Sequence, residues 1–220
     1  MPTPEPRAVL WDMDGTLLDS AEYHWRTWQE VLEPEGHILT RDRFTATFGR
    51  RNQAVLRELL GRDVPESEMT RIETTKEARY RELVRTGGIK PLPGVVDWLA
   101  RLRDAGWRQA IASSAPRLNI ATILETLGLA AMFDAVAGSE DVTRGKPDPQ
   151  IFLVAAAKLD LPPARCIVVE DALAGVEAAH QAGMRCIGVG PSHTTLPADV
   201  TVPSLVALPS DVFDRLVPAR

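Results

Sequence analysis

Two carboxylates, Asp12 and Asp14, follow directly on the apolar run Ala8-Val9-Leu10-Trp11 and are succeeded by Gly15 and Thr16. A short apolar run bounded by turn residues suits a strand buried on both faces. Residues i and i+2 of a strand share a side, so two like charges would face one another unless their roles differ. Two chemistries allow that. A hard cation such as Mg²⁺ takes oxygen ligands and can lie between carboxylates. Alternatively, one group stays ionised as a nucleophile while the other carries a proton as an acid. Gly15 permits a sharp turn, or close approach of backbone to a ligand. A plain Asp-Gly turn beside a second surface Asp would leave the same signature.

Three further groups sit where chemistry could occur: Ser113-Ser114, Lys146 within GKPDP (145–149), and Glu170-Asp171. Each has a bland reading as a helix N-cap, a solvated loop lysine or a capping pair. Their places in the chain argue otherwise. Short apolar runs over Arg108–Ala112, Phe133–Gly138, Cys166–Val169, Cys186–Val189 and Val200–Val202 alternate with helical stretches from Pro91 onward. Such β/α alternation implies a doubly wound parallel sheet, whose ligand site lies beyond the carboxyl ends of the strands. Asp12/Asp14, Ser113/Ser114 and Glu170/Asp171 all fall at strand ends, and Lys146 in the loop after another. Carboxylates from two strands could share one Mg²⁺. A serine hydroxyl with backbone N–H groups could hold a phosphoryl oxygen, and Lys146 could neutralise nucleophile and phosphoryl charge together.

Between residues 19 and 87 no strand pattern occurs. Helices are predicted over Ala21–Leu32, from Thr40 through Phe48, over Gln53–Leu60, and from Val64-Pro65-Glu66-Ser67 to near Thr86. The β/α alternation begins before this segment and resumes after it, so it reads as an all-helical insert. The expected division is a core domain of residues 1–18 and 88–220 with a cap of residues 19–87.

The 220 residues suffice for one large domain or two modest ones. A net charge of −5 argues against general affinity for nucleic acid or anionic membrane. No apolar stretch approaches the ~20 residues that span a bilayer, and the opening MPTPEPRAV lacks a signal-peptide core. Cys166 and Cys186 each begin an apolar run and read as reduced core residues, which points to the cytoplasm. A GVG at 188–190 is too weak and too late for a dinucleotide fingerprint.

The set DMDGT (12–16), ASS (112–114), GKPDP (145–149) and VVEDALAGVEAAHQAG (168–183) resembles the haloacid dehalogenase superfamily. More closely, it is similar to the branch containing β-phosphoglucomutase and small sugar-phosphate phosphatases. The resemblance covers nearly the whole chain and keeps the motifs in the family's order. It implies that Asp12 is the nucleophile that becomes an aspartyl phosphate and Asp14 the general acid/base. It also implies Ser113 as a phosphate ligand and Lys146 as the family lysine. Mg²⁺ would be held by Asp12, Glu170, Asp171 and the backbone carbonyl of Asp14. The helical insert then corresponds to a four-helix cap that closes over the site and selects substrate. A dehalogenase is disfavoured, since that chemistry uses neither Mg²⁺ nor a second catalytic carboxylate.

In the cap, DSAEYHWRTWQ (19–29) resembles the mutase, and His24 matches a family histidine tied to cap closure and acid/base assistance. Lys76 falls where the mutase has a cap lysine. The loop TFGRRN (47–52) departs from the pattern. Phe48 replaces a cap lysine, and Asn52 replaces the arginine that grips the distal phosphate, with Arg50 and Arg51 as nearby cations that could compensate. The candidate substrate contacts are therefore Gly15, Thr16, His24, Arg51, Asn52, Lys76 and Ser114. Each lost charge-assisted contact is worth about 1.5–3 kcal/mol, which weakens retention of a bisphosphate. The expected activity is hydrolysis of a small phosphorylated sugar or polyol by a monomeric enzyme, with β-phosphoglucomutase as the alternative. A non-catalytic phosphate binder on the same fold is the reading from another class.

Overall fold

Strand β1 (Ala8–Trp11) lies at the centre of a six-stranded sheet in the computed structural model, which describes residues 5–47, 49–60 and 64–219. The other strands are β2 (Arg108–Ala112), β3 (Ala135–Ala137), β4 (Cys166–Glu170), β5 (Arg185–Val189) and β6 (Val200–Val202). Their order is β3-β2-β1-β4-β5-β6 and every pairing is parallel. Chain order reverses between β1 and β4, which makes their carboxyl ends the topological switch point.

Alternation along β1 explains its double burial. Val9 and Trp11 join Ile111, Ile167 and Ile187 in one apolar cluster, while Ala8 and Leu10 join Ala110, Val168 and Cys186 in the other. Helices α5 (Val95–Asp104), α6 (Arg117–Leu127) and α9 (Val212–Leu216) cover the first face, whereas α7 (Gln150–Lys158) and α8 (Leu173–Gln181) cover the second. Strand β3 is shorter than the predicted Phe133–Gly138, because Ala130–Met132 forms a 3₁₀ turn immediately before it.

Between β1 and α5 run α1 (Ala21–Leu32), α2 (Arg41–Thr47), α3 (Asn52–Leu60) and α4 (Glu66–Thr86). Trp28, Leu32, Phe44, Leu56 and Ile72 give this segment its own apolar cluster. Helix α4 belongs to two clusters: Met69 and Ile72 pack with the helices, Tyr80 and Val84 with the sheet. The two connections to the segment run side by side, since Leu92 N–H donates to the Leu17 carbonyl at 2.8 Å and Leu18 bridges to Pro91. Among the described residues, no helix is long and apolar enough to cross a membrane.

Candidate active site

Strand β1 ends at Trp11, but its pairing continues one residue further. The Asp12 N–H donates to the Val169 carbonyl at 3.0 Å, which fixes Asp12 beside Glu170 at the end of β4. Lys146 Nζ then donates to both carboxylates, to Asp12 Oδ1 at 2.5 Å and to Glu170 Oε2 at 2.7 Å. Glu170 Oε1 accepts from the backbone N–H groups of Asp171 and Ala172, each at 3.1 Å. Helix α8 approaches closely enough that a Cβ on Gly175 would lie 2.0 Å from Glu170 Cδ. Gly15, at φ +89°, turns the chain against Asp171, where a Cβ would meet Oδ2 at 2.1 Å. Both glycines are therefore required by packing around acidic side chains.

Asp12, Glu170 and Asp171 each offer an oxygen within 4.8 Å of the others. Burial raises the Asp12 carboxyl well above its ordinary range, and the Glu170 charge adds to this against the pull of Lys146. Burial and Glu170 also push Asp171 up to about 8. Carboxylates destabilised by one another, facing a common point with oxygen donors only, are the donor set that suits a hard divalent cation. Bound there, a cation would oppose both shifts by its charge.

Asp14 turns to the other side. Its Oδ1 accepts from Ser20 Oγ and lies 3.6 Å from His24 Nε2. Burial raises this carboxyl, but His24 and Ser20 outweigh it and the net shift is downward. His24 stacks on Tyr80 with ring centroids 4.1 Å apart, and its Nδ1 lies 2.8 Å from Lys76 Nζ. An ammonium only donates, so Nδ1 accepts and Nε2 carries the proton towards Asp14. Burial and the Lys76 charge both lower the His24 pKa, in keeping with a neutral ring.

These groups line one chamber with two compartments that share Asp14, Gly49, Arg50 and Ser114. The inner compartment is bounded by Asp12, Ser113, Lys146, Glu170 and Asp171. The outer one is bounded by Phe44, Asn52, Val55, Glu77 and Asn119 on α2–α4 and α6. Ser113 Oγ is buried and accepts from the Ala115 N–H at 3.1 Å.

Four expected substrate contacts lie elsewhere or are otherwise engaged. Arg51 borders an adjoining pocket with Asn52 and Ser114 and donates to the carbonyls of Thr143 and Ser139 at 3.0 and 3.2 Å. Helix α3 starts at Asn52, so the arginine just before it is carried over the loop ahead of Lys146. Lys76 is 1 % exposed and lies between His24 and Glu77, over the rings of Trp28 and Tyr80. It belongs to the buried stripe Met69, Ile72, Lys76, Tyr80, a helical spacing visible in the sequence. Thr16 is buried, and its Oγ1 has no hydrogen-bond partner among the described residues. Asn52 does line the chamber, with its amide committed to Glu73 and Glu77. Phe48 lies outside the described residues. Arg50, one of the two cations offered as compensation, lines the chamber, as do Glu77 and Asn119, which the sequence did not single out. Gly49 directly before Arg50 hinted at the first, while the meeting of Glu77 with Asn119 had no local signal.

A family model described as haloacid dehalogenase-like hydrolase matches residues 6–183. The chain is 34% identical over 204 residues to the β-phosphoglucomutase of Bacillus subtilis, covering 89% of this chain and 88% of that one. It is 32% identical over 184 residues to the phosphorylated carbohydrates phosphatase of Thermotoga maritima, covering 82% and 83%. Among solved structures, the β-phosphoglucomutase of Clostridium difficile superposes with a TM-score of 0.88 at 26% identity, covering 96% of each chain.

Proposed function

The chain belongs to the haloacid dehalogenase-like hydrolases, and from that membership we propose that it is a Mg²⁺-dependent phosphatase of small phosphorylated sugars or polyols. One observation carries the reading: Asp12, Lys146, Glu170 and Asp171 converge at the switch point, with Asp14 alone turned towards the helical segment. The relatives named for phosphorylated carbohydrates and for β-phosphoglucomutase support the substrate class.

The residues divide the work as follows. An Asp12 carboxylate oxygen attacks phosphorus, and the bond from phosphorus to the leaving alcohol oxygen breaks. Asp14 gives that oxygen its proton. An anionic phosphate brought against Asp14 raises its pKa from the depressed resting value, favouring this acid form. In the second half, Asp14 takes a proton from water, whose oxygen attacks the aspartyl phosphate; inorganic phosphate leaves and Asp12 is regenerated. Ser113 and Ser114 bind phosphoryl oxygens, and Lys146 offsets the charge of Asp12 and the phosphoryl group. Asp12, Glu170, Asp171 and the Asp14 carbonyl would hold Mg²⁺, which when bound neutralises carboxylate and phosphoryl charge.

In this reading residues 19–87 form a cap that closes the chamber over the core of residues 1–18 and 88–220, excluding bulk water. The buried free thiols of Cys166 and Cys186 suit a cytoplasmic enzyme. The proposed enzyme acts as a monomer. Hydrolysis of p-nitrophenyl phosphate and of a sugar-phosphate panel, with Mg²⁺ and with EDTA, tests the proposal. Turnover unchanged by Asp12→Ala or by EDTA refutes it. The mutase relatives favour β-phosphoglucomutase as a second reading. Efficient conversion of β-glucose 1-phosphate to glucose 6-phosphate with little phosphate release would establish that reading instead.

A further inference from the structure

Around Asn52, Glu77 and Asn119 the outer compartment presents acceptors to a substrate, whereas Arg50 and Ser114 supply donors where it meets the inner one. Asn52 Nδ2 donates to Glu73 Oε1 at 3.2 Å and to Glu77 Oε1 at 2.6 Å. Asn119 Nδ2 donates to Glu77 Oε2, and its own oxygen accepts from Arg81 Nη1 at 2.8 Å. Lys76 donates to Glu77 and His24 and is buried behind the lining. Arg50, at the junction of the compartments, donates to Glu58. Burial raises the Glu77 carboxyl, but the charge of Lys76 and the bonds from Lys76 and Asn119 overcome this and hold it below the usual glutamate range. Glu77 is therefore ionised at neutral pH.

A carboxylate has about four lone-pair sites, and three donors occupy those of Glu77. Acceptor capacity remains on Oε2, and the Asn52 oxygen adds to it. A second phosphate or carboxylate placed against Glu77 would set acceptors against acceptors and an anion against an anion. Hydroxyl and ammonium groups are donors and match it. We infer that Glu77, supported by Asn52 and Asn119, sets specificity in this chamber. It selects phosphomonoesters whose far end carries hydroxyl or ammonium donors, and it rejects those with a second anionic group there. This rests on the phosphatase reading and narrows it to a substrate class.

The test compares kcat/KM for glucose 6-phosphate and glucosamine 6-phosphate with kcat/KM for fructose 1,6-bisphosphate and glucose 1,6-bisphosphate. p-Nitrophenyl phosphate serves as a substrate without a polyol end. The wild type should favour the monophosphates at least ~10-fold, equivalent to about 1.4 kcal/mol. Glu77→Gln, which keeps the size and removes the charge, should shrink that ratio several-fold. Asn52→Lys, which adds a cation beside an intact Glu77, should shrink it as well and decides the matter if Glu77→Gln does not fold. Equal use of mono- and bisphosphates by the wild type, or a ratio unmoved by the folded variants, overturns the inference while leaving the phosphatase intact. Failure to hydrolyse any of the monoesters, p-nitrophenyl phosphate included, overturns the phosphatase reading and this inference with it.

Discussion

Replacing Lys146 by Met removes the ammonium that bonds both Asp12 and Glu170, and its effect can be worked from the geometry. The side chains of all three are at most 10% exposed, and the two contacts are 2.5 and 2.7 Å long. At an effective dielectric of about 20, each pair attracts by roughly 6 kcal/mol before desolvation is subtracted. Removing one partner of a buried pair costs about 3–5 kcal/mol in practice. The lower end applies here, because a carboxylate left alone can take up a proton. Asp12 is already raised, and Asp171 stands at about 8. In metal-free buffer at pH 8, the loss should be about 3 kcal/mol, or roughly 6–12 °C in Tm for a chain of this size. The sign of the pH dependence follows from linkage. Carboxyls whose folded pKa is raised make the folded state bind more protons, so stability falls as pH rises through that window. Lys146→Met raises them further, so its deficit against wild type should be larger at pH 8 than at pH 5. Mg²⁺ should restore part of it by replacing the lost positive charge. Thermal unfolding of both proteins in EDTA and in Mg²⁺ at the two pH values measures all of this. An unchanged Tm at pH 8 in EDTA, or a deficit greater at pH 5, would refute the reasoning.

Asp14→Asn should lower kcat by ~10²–10⁴ while leaving Mg²⁺ affinity within a few-fold, as read by calorimetric titration, because the Asp14 side chain is turned to Ser20 and His24. Arg51→Ala should cost about 1 kcal/mol and speed amide exchange in Asn52–Leu60, since it releases the carbonyls of Ser139 and Thr143. Asp199 accepts from the Cys186 N–H at 2.8 Å and from Arg185 at 2.7 Å; burial raises its carboxyl, but these bonds bring it below the ordinary range. A depressed folded pKa contributes stability above the unfolded value of about 3.9 that is lost as pH falls through the folded one. Asp199→Asn should therefore lower Tm at pH 7 and narrow the gap to wild type towards pH 3.

The inner compartment was legible in the sequence because strand ends announce themselves. An apolar run stops at a carboxylate, and a parallel sheet aligns those ends at one edge, whatever the loops between them. The two-faced β1, the alternation after Pro91 and the boundaries of α1 and α4 follow from the same local patterns. The outer compartment was harder to read. Of the adjacent Arg50 and Arg51, one lines the chamber and the other crosses to a core loop. That choice depends on the backbone after Gly49, at φ +80°, rather than on residue type. The burial of Lys76 was legible, since it shares the helical stripe of Met69, Ile72 and Tyr80. Asn119 meets Glu77 across 42 positions of chain, and no local spacing records such a contact.

Helix α4, which packs Met69 and Ile72 among the helices and Tyr80 and Val84 against the sheet, bears on how this chain can be taken apart. An excised fragment of residues 19–87 would present Tyr80 and Val84 to water, and the remaining sheet would lose the two side chains that fill its upper edge. The helical segment is thus not a detachable module that could be exchanged by cutting at its two connections. A chimera with a foreign cap would have to keep the last two turns of α4 with the sheet and join the new sequence near Lys76. A splice there would fall beside Glu77, so any exchange of caps would rewrite the outer compartment at the seam.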